Sequence, residues 1–125
     1  MNGAVRVLVM LVGLTGASGV ALGALAAHRV SDPALATAAH MLLIHAAASL
    51  GVLAVAARSG RPLIALLAAG LLLAGAALFA GDIALRAITG HRLFPLAAPT
   101  GGSTMIAGWL TLALAGLVGR RAGTG

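Results

Sequence analysis

Four apolar stretches, each about 20 residues long, limit what this chain can fold into more than any other feature. They cover residues 7–27, 34–57, 63–85 and about 100–119. A helix of about 20 residues, rising about 1.5 Å per residue, crosses the roughly 30 Å hydrocarbon core of a bilayer. Backbone groups in lipid must pair within their own segment, and the stretches lack the alternation of a membrane β-barrel. Each stretch is therefore predicted to be a transmembrane helix.

The composition argues against a soluble domain. Hydrophobic residues make up 61% of the 125 residues and charged residues 8%, whereas soluble domains are about 45–50% apolar and about 25% charged. A soluble chain of this length leaves too much of its surface exposed to hide so many apolar side chains. The chain is predicted to form one domain, an all-α integral membrane four-helix bundle with up-down topology.

Polar segments separate the stretches. They lie at residues 28–33, 58–62 and 86–99. In the first segment, Ser31 or Asp32 can cap the second helix, and Pro33 suits its first position. The second segment has the Gly and Pro of a tight turn. The third is longer and suits the headgroup region, and Thr100 is predicted to cap the fourth helix.

The arginines predict the orientation. One side of the membrane receives Arg6, Arg58, Arg61, Arg120 and Arg121; the other receives Arg29, Arg86 and Arg92, together with both acidic residues. Arginine and lysine are enriched in cytoplasmic loops. The bias therefore places both termini in the cytoplasm and the helices in a bacterial-type inner (plasma) membrane.

The first stretch has an alternative interpretation. Arg6, the apolar run and residues 24–26 before Ala27 resemble a secretory signal with its cleavage site. The run of about 20 residues is longer than the roughly 7–15 apolar residues of a signal peptide. We therefore expect the first helix to be retained; cleavage would leave three helices.

The residue inventory excludes several kinds of site. The chain has no cysteine, and therefore no disulfide or thiolate site. Its arginines form no basic stripe and aromatics are scarce, so no nucleic acid is expected as a partner. His40 and His45 do not share a helix face, which argues against a two-histidine metal edge. With two acids and no serine in a nucleophile elbow, we expect no enzymatic activity, metal or cofactor.

A glycine stripe marks the first helix. Gly16, Gly19 and Gly23 are spaced three and four apart, so they stack on one helix face. The last two form a G-x-x-x-G pair, which permits close contact between helices. The stripe is predicted to pack within the bundle; the alternative is an interface between copies of the chain.

His45 is the first part of a candidate polar site. It is an ionisable residue inside the second apolar stretch, and such residues within membranes are often functional. It shares a helix face with Ser49. The alternative role is structural, a neutral imidazole that hydrogen-bonds to a neighbouring helix.

Asp82 and Arg86 are the second part of the candidate polar site. They are four residues apart, with the acid first, which favours an ion pair on one helix face. The alternative is an anion or lipid-headgroup site built from His28, Arg86 and Arg92, in which Asp82 holds Arg86 in place.

Several short strings, in this order, resemble those of a known family. They are Gly23-Ala24-Leu25-Ala26-Ala27-His28, residues 37–46 with His45, Leu78-Phe79-Ala80-Gly81-Asp82, residues 98–102, and Gly108-Trp109. On these strings the chain resembles the YgdD-like family of small inner-membrane proteins, a domain-of-unknown-function family. The resemblance runs from about Gly13 to Leu114. It implies a four-helix membrane protein and no assigned activity.

The chain departs from the family pattern at three places. Ala26 replaces a glycine, Asp82 stands where many members carry serine, and residues 98–100 permute a Thr-Pro order. Family roles for single residues therefore do not transfer directly.

Three functional hypotheses follow. The preferred one is a non-enzymatic membrane protein that packs against lipids or other membrane proteins, including further copies of itself. The second is an oligomeric transporter or proton-coupled carrier that uses His45 and Asp82. The third, a membrane enzyme, is disfavoured by the few acids and nucleophiles. A carrier made of one chain is disfavoured because four short helices leave little room for a water-filled path.

Overall fold

The computed structural model describes residues 1–119 and contains four helices in that range. They are α1 (Gly3–His28), α2 (Pro33–Ala56), α3 (Pro62–Thr89) and α4 (Ala97–Gly119). All four are long and apolar enough to cross a membrane, and no strand occurs in the described range. The predicted all-α membrane bundle is confirmed. Arg120 and Arg121 lie outside the described residues, and the orientation in the membrane stays a prediction.

The first two helices begin at side-chain caps. The Asn2 side chain accepts a hydrogen bond of 2.9 Å from Val5 N at the start of α1. Asp32 accepts one of 2.9 Å from Ala34 N, and Pro33 occupies the first turn of α2. Such caps satisfy backbone donors that have no partner inside the helix. The predicted cap and proline of α2 are confirmed, and α1 starts four residues before its apolar stretch.

The third connection is shorter than predicted, because α3 does not end at Leu85. The helix continues to Thr89 and stops at Gly90, which has a φ of 77°. The Gly90 N–H donates to Arg86 O at 2.9 Å. Glycine adopts this left-handed conformation without a steric penalty, so it ends helices readily.

The fourth helix begins earlier than predicted, and Thr100 does not cap it. Thr100 N donates to Leu96 O at 2.9 Å, which places Thr100 inside the first turn. Pro99 fits the same turn because its missing N–H would have no intrahelical partner there. Leu96 precedes the helix with a φ of 66°, a conformation that costs a branched residue roughly 1–2 kcal/mol.

The helices differ in how much of their surface they bury. Helix α3 packs against both α4 and α2, whereas α1 packs mainly against α2. In the most apolar 18-residue stretch of each helix, 44% of the residues of α2 and of α3 are buried, against 6% in α1 and 17% in α4. Helices α2 and α3 are therefore central, and α1 and α4 are peripheral.

Up-down order gives the bundle two ends. We call the end with the α2–α3 turn the turn end, and the end with the other two connections the loop end. Small side chains dominate the core at both. The buried cluster nearer the turn end is Val52, Leu53, Ala56, Ala65, Ala68, Ala69 and Leu72; the one nearer the loop end is Ala38, Leu42, Ala76, Ala80 and Met105. Such residues let helix backbones approach closely, which drives association in lipid.

The closest approach is between α3 and α4, at glycines. A Cβ atom on Gly101 would lie 2.5 Å from Phe79 N, and one on Gly75 would lie 2.8 Å from Gly101 O. One on Gly108 would lie 3.0 Å from Leu72 N. The nearest atoms to Gly75 and Gly101 are backbone, so only glycine fits there without moving a helix; at Gly108 the Leu72 side chain obstructs as well. Gly101, in the first turns of α4, is thus part of the tightest contact between α3 and α4.

Candidate functional site

His45 lies near the middle of α2 and is 5% exposed. Its Nδ1 is 2.8 Å from Met41 O, and the indole Nε1 of Trp109 is 3.2 Å from its Nε2. An indole nitrogen can only donate, so Nε2 accepts that hydrogen bond. Nδ1 then carries the proton and donates to the carbonyl of Met41. His45 is therefore a neutral imidazole with both nitrogens paired.

The pair of side chains bridges two helices that otherwise hardly touch. The rings of His45 and Trp109 meet edge to face, with centroids 5.9 Å apart and planes at 67°. Their hydrogen bond ties the middle of α2 to the middle of α4. The sequence analysis offered a structural role for His45 but did not identify its partner. A usable signal existed: a single tryptophan in mid-helix carries an N–H that needs an acceptor.

Ser49 lies one turn beyond His45 on the same face of α2, as predicted, and is fully buried. Its hydroxyl has no hydrogen-bond partner among the described residues. Other hydroxyls in the helices, those of Thr37, Ser103, Thr104 and Thr111, donate to the carbonyl four residues earlier. A buried unpaired hydroxyl costs about 1–3 kcal/mol, and no contact among the described residues offsets this cost at Ser49.

Asp82 is 2% exposed, near the loop end of α3. Its Oδ1 accepts a hydrogen bond of 2.9 Å from Leu93 N in the α3–α4 connection. The predicted ion pair with Arg86 is wrong, because no salt bridge joins the two within residues 1–119. Arg86 is exposed near the end of its helix, where a long side chain can reach the headgroup region. The carboxylate instead holds the connection against α3.

The other candidate residues do not join a common site. His28, Arg86 and Arg92 are all exposed at the loop end. No hydrogen bond connects any two of the five candidates, His45 and Asp82 included, in the part of the chain that the structure describes. That part also contains no group of three His, Cys, Asp or Glu residues that could hold a metal ion. A headgroup site at the loop end stays a prediction.

The glycine stripe of α1 faces α2. Gly19 is buried, and a Cβ on it would lie 2.8 Å from Leu43 Cγ and 3.2 Å from Leu42 Cβ. On Gly16 and Gly23, a Cβ would make ordinary contacts of 3.9 Å and 3.8 Å with alanine side chains of α2. The stripe therefore packs within the chain, and Gly19 is its critical position.

Two grooves open on the sides of the bundle. One lies between α1 and α3, has a volume of about 530 Å³ and is lined mainly by small and apolar residues, together with Thr15 and Ser18. The other lies at the turn end between α2 and α4, has a volume of about 580 Å³ and includes Arg58. The second groove combines a cation with apolar walls.

Comparisons with known proteins place the chain in a family without supplying an activity. Searches of curated proteins and of solved structures found no match. The profile of one family matches residues 22–102, from the last two turns of α1 to the first turns of α4. This range holds most of the strings that suggested the resemblance. The chain belongs to the family described as Protein of unknown function (DUF423).

Proposed function

We propose that this chain is a non-enzymatic, multi-pass protein of the inner (plasma) membrane that acts by lateral contact with lipids or other membrane proteins, further copies of itself included. Four membrane-spanning helices and a family without assigned activity form the basis. The observation that carries the proposal is the exposure of α1.

Helix α1 leaves most of its apolar surface uncovered. Val7, Met10, Leu14 and Val20 are 55%, 67%, 64% and 64% exposed. These residues stay uncovered because α1 rests mainly on α2, and Leu14 also borders the groove between α1 and α3. In a bilayer this surface meets acyl chains or another transmembrane helix, and specificity can only come from how well it packs.

The polar side chains support contact rather than chemistry. Both ring nitrogens of His45 are paired, and the Asp82 carboxylate accepts from a backbone amide. Each group thereby fixes the position of a helix or connection. A carrier that uses these residues would have to break such a bond in each cycle, and the structure favours contact over that alternative.

Site-specific photo-crosslinking tests the proposal. A diazirine amino acid is placed at Leu14 on the exposed face of α1, and at the fully buried Leu72 as the matched control. In native membranes, Leu14 is expected to give reproducible adducts with a lipid or protein, and Leu72 only internal ones. Equal adducts at both positions would contradict the proposal, as would proton uptake by proteoliposomes that depends on His45.

A further inference from the structure

We propose that the turn-end groove between α2 and α4 binds one anionic phospholipid, with its phosphate at Arg58 and an acyl chain along the groove. The inference deepens the proposed function and rests on it, because it names a lipid class and a place for one lateral contact.

The groove has two chemically different parts. Its mouth is formed by Arg58, Ser59 and Gly60 of the α2–α3 turn. Its walls are apolar and come from the membrane-spanning helices: Val55, Ala65, Leu112, Ala115, Gly116 and Gly119. A polar mouth at the end of a span and an apolar wall within it match the two parts of a phospholipid.

The charge at the turn end selects an anion. Both acidic side chains of the sequence, Asp32 and Asp82, belong to the loop-end half of the bundle. Arg58 therefore has no carboxylate side chain beside it, and Arg6 and Arg61 add positive charge at the same end. Each arginine near a membrane surface favours anionic lipid by about 1 kcal/mol.

The backbone of the turn supports the same assignment. Arg58 N and Ser59 N donate to carbonyls of α2, and Arg61 N donates to Ser59 Oγ. Gly60 N donates to no protein acceptor within residues 1–119. It is therefore a donor available to a phosphate oxygen, and Gly60 and Arg58 line the same mouth of the groove.

The walls have room for an acyl chain. Helices α2 and α4 meet through His45 and Trp109 near their middles, and the groove lies toward the turn end from that bridge. A Cβ on Gly116 would meet nothing within 4 Å, so this wall faces open space. Free phosphate would gain nothing from apolar walls, and an apolar helix of a second copy would desolvate Arg58.

Native mass spectrometry of the purified full chain tests the assignment, with phosphatidylglycerol and phosphatidylcholine as probes. Arg58→Gln removes the cation, and Gly116→Leu adds a bulky side chain to the groove at a position where a Cβ would meet nothing within 4 Å. Their controls are Arg29→Gln, an exposed arginine at the loop end, and Gly13→Leu, which adds the same side chain to open space on α1.

We expect one phosphatidylglycerol to bind more tightly than phosphatidylcholine, and Arg58→Gln to weaken it about fivefold. Gly116→Leu is expected to weaken both lipids, and the two controls neither. Equal losses in Arg29→Gln and Arg58→Gln would overturn the proposal, as would unchanged binding in Gly116→Leu.

Other occupants give other outcomes. A dimer that Gly116→Leu dissociates would show that a second copy fills the groove, and phosphate alone displacing the lipid would show a free-anion site; either result overturns the proposal. Loss of the lipid site with intact crosslinks from Leu14 would leave the proposed function standing. Transport by proteoliposomes together with intact lipid binding would contradict the proposed function but not the lipid site.

Discussion

The hydrogen bond between Trp109 and His45 turns two amphipathic side chains into one interhelical contact. Each ring buries apolar atoms, and each polar edge finds its partner in the other ring. Hydrogen bonds between membrane helices contribute about 0.6 kcal/mol on average and at most about 1.7 kcal/mol. The bridge is thus worth a modest amount, but it is the main link between α2 and α4.

We predict that Trp109→Phe lowers the free energy of unfolding by about 0.5–1.5 kcal/mol, because phenylalanine keeps a ring but loses the donor. Unfolding in mixed detergent micelles measures the effect. In a His45→Leu background the same change should cost less, since the acceptor is already gone. Equal costs in both backgrounds would mean that the hydrogen bond contributes nothing.

Asp82 offers a second test at the same scale. Asp82→Ala is expected to destabilise the chain by about 1–3 kcal/mol, because Leu93 N loses its acceptor. Asp82→Asn keeps an acceptor oxygen and should cost less, and Arg86→Gln should have little effect. The measurement is unfolding together with thiol labelling of a cysteine introduced at His91, which the cysteine-free chain permits. Equal losses of stability in Arg86→Gln and Asp82→Ala would instead indicate that the two residues form an ion pair.

Single residues were only partly predictable. The sequence does single out His45 and Asp82, because they are ionisable groups within apolar stretches and lipid makes such groups costly. Their partners were not predictable, since Trp109 is 64 positions away from His45 and Leu93 contributes a backbone amide. A local rule of four-residue spacing suggested Arg86, and a nearby backbone donor prevailed over it.

Helices α3 and α4 depend on the absence of side chains where their backbones meet. Adjacent glycines of α4 differ sharply in this respect. A Cβ on Gly101 would lie 2.5 Å from Phe79 N, whereas one on Gly102 would meet nothing within 4 Å. Helix separation is thus set by the first glycine and not by the second.

We predict that Gly101→Ala lowers the free energy of unfolding by about 1–3 kcal/mol, because the helices must separate. Gly102→Ala is the matched control and should be neutral or stabilising by up to about 1 kcal/mol, since alanine is the better helix former. Thermal unfolding of the two variants in one detergent compares them. Equal midpoints would show that the contact is looser than described.

The packing of α1 against α2 is predicted to depend on Gly19, but to tolerate a substitution there better than the α3–α4 contact tolerates one at Gly101. The obstructing atoms there belong to the side chains of Leu42 and Leu43, and Leu43 can move because it is 37% exposed. Gly19→Leu should loosen α1 and speed its proteolysis, whereas Gly13→Leu, in open space, should not. Identical proteolysis of the two variants would place the stripe against lipid.

Hydropathy predicted the number and approximate positions of the helices but not their ends. Arg86 and Thr89 are polar, yet they continue α3, because a helix can extend into the headgroup region with its polar side chains in water. The α3–α4 glycine contact was missed for a different reason. Gly101 and Gly108 read as weak helix formers when the partner helix is unknown.

The bundle as a whole has a definite up-down order, and the arginines predict which way it faces. Alkaline phosphatase fused after Gly60 or after Gly125 should be inactive, because both points are expected in the cytoplasm. A fusion after His91, in the α3–α4 connection, should be active and serves as the control. High activity after Gly60 and none after His91 would invert the orientation.

The family match covers mainly the central part of the molecule. It begins in the last two turns of α1 and ends in the first turns of α4, so it covers α2, α3 and all three connections. The first part of α1 and the second half of α4 lie outside it. These are segments of the two peripheral helices, whose exposed surfaces carry the proposed lateral contacts.

The contact between His45 and Trp109 also gives the protein an intrinsic fluorescent probe. Trp109 is the only tryptophan, and the chain has no tyrosine, so ultraviolet-excited emission reports on one point between α2 and α4. Its wavelength and lifetime can be followed in native bilayers without a label. Any partner or lipid that shifts α4 relative to α2 would therefore change the emission wavelength or the fluorescence lifetime of Trp109.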